Sequence, residues 1–270
     1  MQFGNRRLLY ALSLALLFVW GCASTPYTNR QQLMLVSEAE EMRIGAAVFE
    51  QVKKDETLST DARKNALVER VGRRIAAAAE KPGYAWEFVV LKSEQVNAFA
   101  LPGGKVAVYT GILPLTGDET GLAVVMGHEV AHVLARHGAE RISQQEALSV
   151  GEAALSIALL GRSPAAGRAV LEAYGLGARV GVLLPYSRTH EAEADKIGLI
   201  LMARAGYDPR AAAGFWRRMS AKHKGPSPPE ILSTHPSDRR RIEEIEKFMP
   251  IAMQYYEEAT RQAGAGTRGR

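Results

Sequence analysis

Apolar residues recur along this chain with helical spacing over most of its length and with strand-like character in one short region. Leu67, Val68, Val71 and Ile75 share a face of the segment Asp61 to Ala79, as in an amphipathic helix. An earlier helix opens at Ser37-Glu38-Ala39-Glu40 by the capping-box pattern. Two β-branched and aromatic runs follow, Trp86 to Leu91 and Lys105 to Thr110, separated by the turn Pro102-Gly103-Gly104. Thr116-Gly117-Asp118-Glu119 is a second capping box, with Thr116 as N-cap. It opens a helix near Glu119 with the apolar stripe Leu122, Val125, Met126, Val130 and Val133. Ala123, Gly127 and Ala131 add a stripe of small residues that lets another backbone come close. Arg136-His137-Gly138 supplies a basic last turn and a terminal glycine, with His137 as the helix C-terminal cation.

Downstream, Ala147 to Leu184 is rich in Ala, Leu and Gly, but Glu152, Arg162, Arg168, Glu172 and Arg179 interrupt it before about 18 apolar residues accumulate. It reads as packed helices that cover a cleft or touch lipid, not as a transmembrane hairpin. Helices are expected over Glu191 to Ala205, from Gly206-Tyr207-Asp208-Pro209 to about His223, and over Arg239 to Phe248, with a proline-rich loop from Lys224 to Pro236. The expected class is α+β, predominantly helical, with a small β-sheet.

The N-terminus bears on compartment. Arg6-Arg7, the apolar run Leu8 to Trp20 and then Gly21-Cys22 have the charged and hydrophobic regions of an export signal. Val19-Trp20-Gly21-Cys22 resembles a bacterial lipobox, and Cys22 is the only cysteine, so an internal disulfide is excluded. Thioether lipidation of Cys22 would tether the mature chain to a membrane surface. Ala23 and Ser24 lack the Asp that lipoproteins of enteric bacteria associate with inner-membrane retention, which favours the outer membrane, facing the periplasm. The expected organisation is a signal peptide over 1–21, a linker over 22–36, one catalytic domain over 37–255 and a flexible tail over 256–270. With 270 residues, 47% of them hydrophobic, the chain can bury one sizeable core. The formal charge of +5 includes Arg6 and Arg7 of the leader, and the remainder is too mild to argue for nucleic acid.

Chemistry concentrates in His128-Glu129-Val130-Ala131-His132. Histidines at i and i+4 project from one helical face and can both offer a ring nitrogen to one Zn²⁺, with Glu129 beside them to take a proton from water. Ala135 and Gly138 stand where a metzincin has Gly and His, so that class is rejected. Candidates for a third ligand are His190, His223, His235 and the acidic cluster Glu191-Ala192-Glu193-Ala194-Asp195. Within it Glu191 and Asp195 share a face and Glu193 points elsewhere, so one turn can offer a ligand carboxylate and a carboxylate that orients a histidine.

Four ordered stretches then carry a resemblance: Asn97-Ala98-Phe99-Ala100-Leu101-Pro102-Gly103-Gly104, the His128 to His132 motif, Ser187 to Asp195, and Thr234-His235-Pro236-Ser237 with Arg241. Together they resemble the HtpX/BepA/Oma-type zinc metallopeptidases, relatives of the CAAX prenyl proteases, over about Ser37 to Phe248. The resemblance implies a zincin-like (gluzincin) domain with one Zn²⁺ per chain, held by His128, His132 and Glu191, and with Asp195 supporting a ligand histidine. It makes Asn97, Ala98, Phe99 and Ala100 an edge strand beside the metal helix, where an extended peptide can add by main-chain pairing. It also brings His235 to the metal, as oxyanion donor or as occupant of the open position in a latent state. Arg241 is a second oxyanion candidate; a salt bridge to Glu243 or Glu244 is its structural alternative, and His190 and His223 are read as surface residues. The implied activity is zinc-dependent endopeptidase action on misfolded or unassembled envelope proteins, with envelope assembly machinery as a possible partner. The alternative is a mainly latent, zinc-bearing, chaperone-like assembly factor for outer-membrane proteins.

Overall fold

The computed structural model describes residues 22–160, 163–223, 231, 235 and 239–267, and the chain divides into two compact units, 1–38 with 136–187 and 39–135 with 188–270. The signal-like segment 1–21 and most of the proline-rich loop lie outside the described residues, as does the side chain of Cys22.

The larger unit begins with helices α1 (Glu38–Asp55) and α2 (Ala62–Ala79). Asp61 caps α2 by accepting from the backbone N–H groups of Arg63 and Lys64, and Val68, Val71 and Ile75 are its buried face. Strands β3 (Glu87–Leu91), β4 (Ala98–Leu101) and β5 (Lys105–Tyr109) form one sheet in the order β3-β5-β4. The proline-glycine turn closes a hairpin between β4 and β5, register Leu101 opposite Lys105, while β3 pairs parallel to β5 on its other side. The two runs read as strands are therefore neighbours in the sheet, but the turn joins β5 to β4. Gly103 and Gly104 have φ of 84° and 85°, a region open to glycine and strained for other residues.

Helix α3 (Glu119–Leu134) starts where expected, by a different cap. Asp118 Oδ1 accepts from the Gly121 N–H at 2.8 Å, while the Thr116 hydroxyl turns back to the Leu113 carbonyl at 2.8 Å and closes the preceding turn, Leu113–Thr116. Glu119, free of a capping role, takes Arg70 as its partner. α3 packs against α2 and β4 and is buried almost all round. Among the described residues this unit also holds α6 (Leu184–Arg204, of which Arg188 onward belongs here), α7 (Ala211–His223) and α8 (Arg239–Thr267).

The small-residue stripe on α3 is used. A Cβ built on Gly127 would lie 2.9 Å from the Gly198 carbonyl oxygen of α6, and one on Gly198 would lie 3.0 Å from the His128 nitrogen. Two backbones thus touch where α3 and α6 present their polar side chains. Gly127→Ala is expected to destabilise the fold by about 1–3 kcal/mol, the usual cost of overpacking, and to lower metal affinity by spreading the two helices. Thermal unfolding of the metal-free protein, followed by metal titration, checks both.

Helix α8 runs through Pro250 to Thr267, so residues 256–267, expected as a flexible tail, are helical. Ala252 is buried and the Arg204 guanidinium lies 5.1 Å from the Tyr255 ring centroid, contacts that anchor the helix beyond Phe248.

The smaller unit holds a two-stranded antiparallel ribbon, β1 (Cys22–Ser24) with β2 (Gln31–Leu33), in the stretch expected as a linker. Arg30 forks onto Glu140 at 2.8 and 2.7 Å, and Glu140 is fully buried, which fixes the ribbon against helix α4 (His137–Ala158). The left-handed residue after α3 is Arg136, φ 57°, and its guanidinium donates to the Val36 carbonyl at 2.8 Å. His137 is therefore the first residue of α4, buried, and not a cation ending α3. Helix α5 (Pro164–Ala178) packs on α4. Among the described residues no helix is long and apolar enough to cross a membrane.

Candidate metal centre and peptidase family

Helical geometry brings His128 and His132 together from α3, and Glu191 faces them from α6. The Nε2 atoms of the two histidines are 3.1 Å apart. Glu191 places Oε2 3.4 Å from His128 Nε2 and Oε1 3.4 Å from His132 Nε2. His235 completes the group, with Nδ1 3.2 Å from His128 Nε2 and 3.0 Å from Glu191 Oε1. One ligand atom from each of these four residues lies within 4.8 Å of all the others, so the set could hold a metal ion. His235 is positioned by backbone bonds: its N–H donates to the Ile231 carbonyl, and the Ile231 N–H donates to the Val96 carbonyl just ahead of β4.

Asp195, one turn after Glu191 on α6, stands 3.0 Å from His128 Nδ1, the ring nitrogen facing away from the group. A carboxylate there fixes the ring and leaves Nε2 directed at the donors. Burial and the Arg241 charge push the His128 imidazole down, but the hydrogen bonds it donates to Asp195 and Glu191 outweigh them and hold it at about 9 without a metal. Burial pushes Glu191 up, yet its bonds to His128 and His235 keep it far below the usual carboxylate range. Glu129 is different. It is buried, desolvation raises its pKa, and Oε1 has no hydrogen-bond partner among the described residues; the nearest ring nitrogen is His235 Nε2 at 3.5 Å. An orphaned carboxylate oxygen beside four clustered donors fits a site that could hold a metal ion.

The acidic cluster is not a solvated face: Glu191, Glu193 and Asp195 are all buried. Glu193 stays outside the donor group. His190, read as a surface residue, is buried, because this part of α6 runs through the interior. His223 ends α7, and its side chain lies outside the described residues. Asn97 accepts the Tyr109 N–H through its carbonyl and bonds the Ala98 N–H through Oδ1 at 2.9 Å; Ala98 to Ala100 belong to β4, an edge strand that packs on α3.

Arg241 does not pair with Glu243 or Glu244. Its Nε and Nη2 fork onto both oxygens of Asp195 at 2.7 and 2.8 Å, and Nη1 lies 3.2 Å from Glu191 Oε2. Donors engaged in this way are not aimed at an oxyanion. The guanidinium stacks on Trp216, 3.6 Å from the ring centroid. Trp216 is the residue that sequence reasoning passes over, because a tryptophan on an apolar helix face looks like ordinary core.

A family model described as peptidase family M48 matches residues 62–249, a span that contains every residue of this cluster. The chain belongs to peptidase family M48. Relatives of this chain are named as metalloendopeptidases. The mitochondrial metalloendopeptidase OMA1 of Schizosaccharomyces pombe is 40% identical over 84% of this chain and 66% of its own length. OMA1 of Saccharomyces cerevisiae is 33% identical, covering 91% and 76%. The beta-barrel assembly-enhancing protease of Escherichia coli is 32% identical, covering 77% of this chain and 43% of itself. The chain thus spans about two thirds of the first of these M48 proteins and under half of the last.

Proposed function

We propose that this chain is a zinc-dependent endopeptidase of the bacterial cell envelope, latent at rest, that cleaves misfolded or unassembled membrane and periplasmic proteins. The observation that carries it is the donor cluster with the orphaned Glu129 beside it. Donors lying 2.0–2.1 Å from a tetrahedral ion are separated by about 3.3 Å, and the five separations among His128, His132, Glu191 and His235 given above run from 3.0 to 3.4 Å. Nitrogen and carboxylate donors in this number and spacing suit zinc.

His128, His132 and Glu191 would hold the ion, which when bound supplies a Lewis acid for the scissile carbonyl and lowers the pKa of water. Asp195 keeps the His128 ring in place and its Nδ1 proton engaged. Glu129 moves the proton: its buried, raised-pKa carboxylate takes one from the attacking water and returns it to the leaving amine. Edge strand β4, through Asn97, Ala98, Phe99 and Ala100, would hold an extended substrate by main-chain pairing, which favours unfolded segments over particular sequences.

His235 is the latch. Its Nδ1 sits at the fourth corner of the cluster, where it shuts out the water that Glu129 needs. His235→Ala is expected to raise cleavage of a denatured protein substrate, and self-cleavage, while zinc content stays near one per chain; a chelator should abolish the activity in both forms. A fall on the order of 10²-fold would instead make His235 an oxyanion donor. The beta-barrel assembly-enhancing relatives support an envelope setting, and the lipobox-like Cys22 supports anchoring at the periplasmic face of the outer membrane. The mass of the mature N-terminal peptide checks this: an unlipidated Cys22 in the membrane fraction would rule the anchor out.

A further inference from the structure

We infer that Trp216 and Arg241 work as a positioning pair: the indole face holds the guanidinium flat, and the guanidinium sets Asp195 and Glu191 in place before the metal arrives. This rests on His128, His132 and Glu191 being the metal-holding residues. The pair belongs to α7 and α8, whereas the groups it fixes belong to α6 and α3, so one buried contact ties four helices at the donor cluster.

The physical need is clear from the charges. Asp195, Glu191 and Glu129 are three buried carboxyl groups around one histidine pair. Without a cation, carboxylates so placed repel one another and swing apart or take up protons. Arg241, itself buried, supplies the cation as a rigid planar fork, with both Asp195 oxygens on one edge and Glu191 within 3.2 Å. A fork works only if its plane is fixed. Trp216, 1% exposed, fixes it by stacking at 3.6 Å, within the range of a strong cation–π contact. Trp216 also lies edge-on to the His128 ring, centroids 5.5 Å apart, so the stacked pair sits beside the donor cluster. Lysine cannot reproduce this, since an ammonium has no plane to stack and no second donor in a fixed fork.

The test is zinc affinity of the full chain, measured by competition with a chromophoric chelator, with melting of each metal-free variant as the check on folding. Arg241→Lys and Trp216→Leu are each expected to weaken zinc about 10- to 100-fold, the usual effect of groups that orient ligands. Trp216→Phe, which keeps a π face, should bind close to the wild type. In the Arg241→Lys background Trp216→Leu should add little, because the ring acts through the guanidinium. Additive losses would overturn the pairing, as would a Trp216→Phe variant as weak as Trp216→Leu. Unchanged zinc affinity in Arg241→Lys with a lowered kcat at saturating zinc would overturn it too, and would make Arg241 a donor to the reacting oxygen. Should Trp216→Leu fail to fold, Arg241→Lys and Trp216→Phe still decide. A wild-type chain that binds no zinc would sink the zinc reading itself, whereas a wild type that binds and variants that match it would sink this pairing alone.

Discussion

Glu129→Gln should leave the protein folded and metal-loaded while peptide hydrolysis falls on the order of 10²- to 10⁴-fold, the contribution of a positioned general base. The side chain is buried with an oxygen that lacks a hydrogen-bond partner among the described residues, and burial raises its pKa. Both features are costly to the folded state, as expected of a group that handles a proton. The amide keeps the shape and removes the cost of a buried charge, so the melting temperature should hold or rise. Loss of activity together with unchanged metal content and an unchanged or higher melting temperature is the expected triple. An active Glu129→Gln enzyme would remove Glu129 from the chemistry.

Glu191→Gln should lose the metal, whereas Glu193→Gln should keep it. The two residues are buried on the same helix, but only Glu191 reaches the ring nitrogens of His128, His132 and His235, at 3.0 to 3.4 Å. A neutral amide takes away the one negative charge in that set, and a divalent cation among histidines alone is held far less tightly. Metal analysis after dialysis gives the answer. Stoichiometric zinc in Glu191→Gln, with loss in Glu193→Gln, would reverse the assignment.

The readability of the site tracks how local its geometry is. His128 and His132 are one turn apart on a single helix, as are Glu191 and Asp195, so the 3.6-residue period alone places each pair on one face. That two such pairs meet is a statement about packing, and the small residue Gly127 hints at it. Its contact with Gly198 is what brings α3 and α6 close. His137 and His190 show the converse. Their neighbours in sequence suggest a helix-end cation and a surface residue, yet each is buried because of what its helix packs against.

The chain's own pattern determined the helical character, the start of α3, the strand character of β3 and β5, and the sharing of a helical face by His128 with His132 and by Glu191 with Asp195, because these depend on residues within a few positions of one another. It did not reveal the ribbon within 22–36 or the helical course of 256–267. The ribbon is fixed by Arg30 meeting Glu140 and the end of α8 by Tyr255 meeting Arg204, partners that no local period exposes. Tertiary structure alone decided that Arg241 faces Asp195 and Trp216, and that the backbone of His235 is tied through Ile231 to Val96. The physical reason is common to all of these. A fork, a stack or a coordination corner needs side chains from different elements at fixed distances, and those distances exist only once the core has packed.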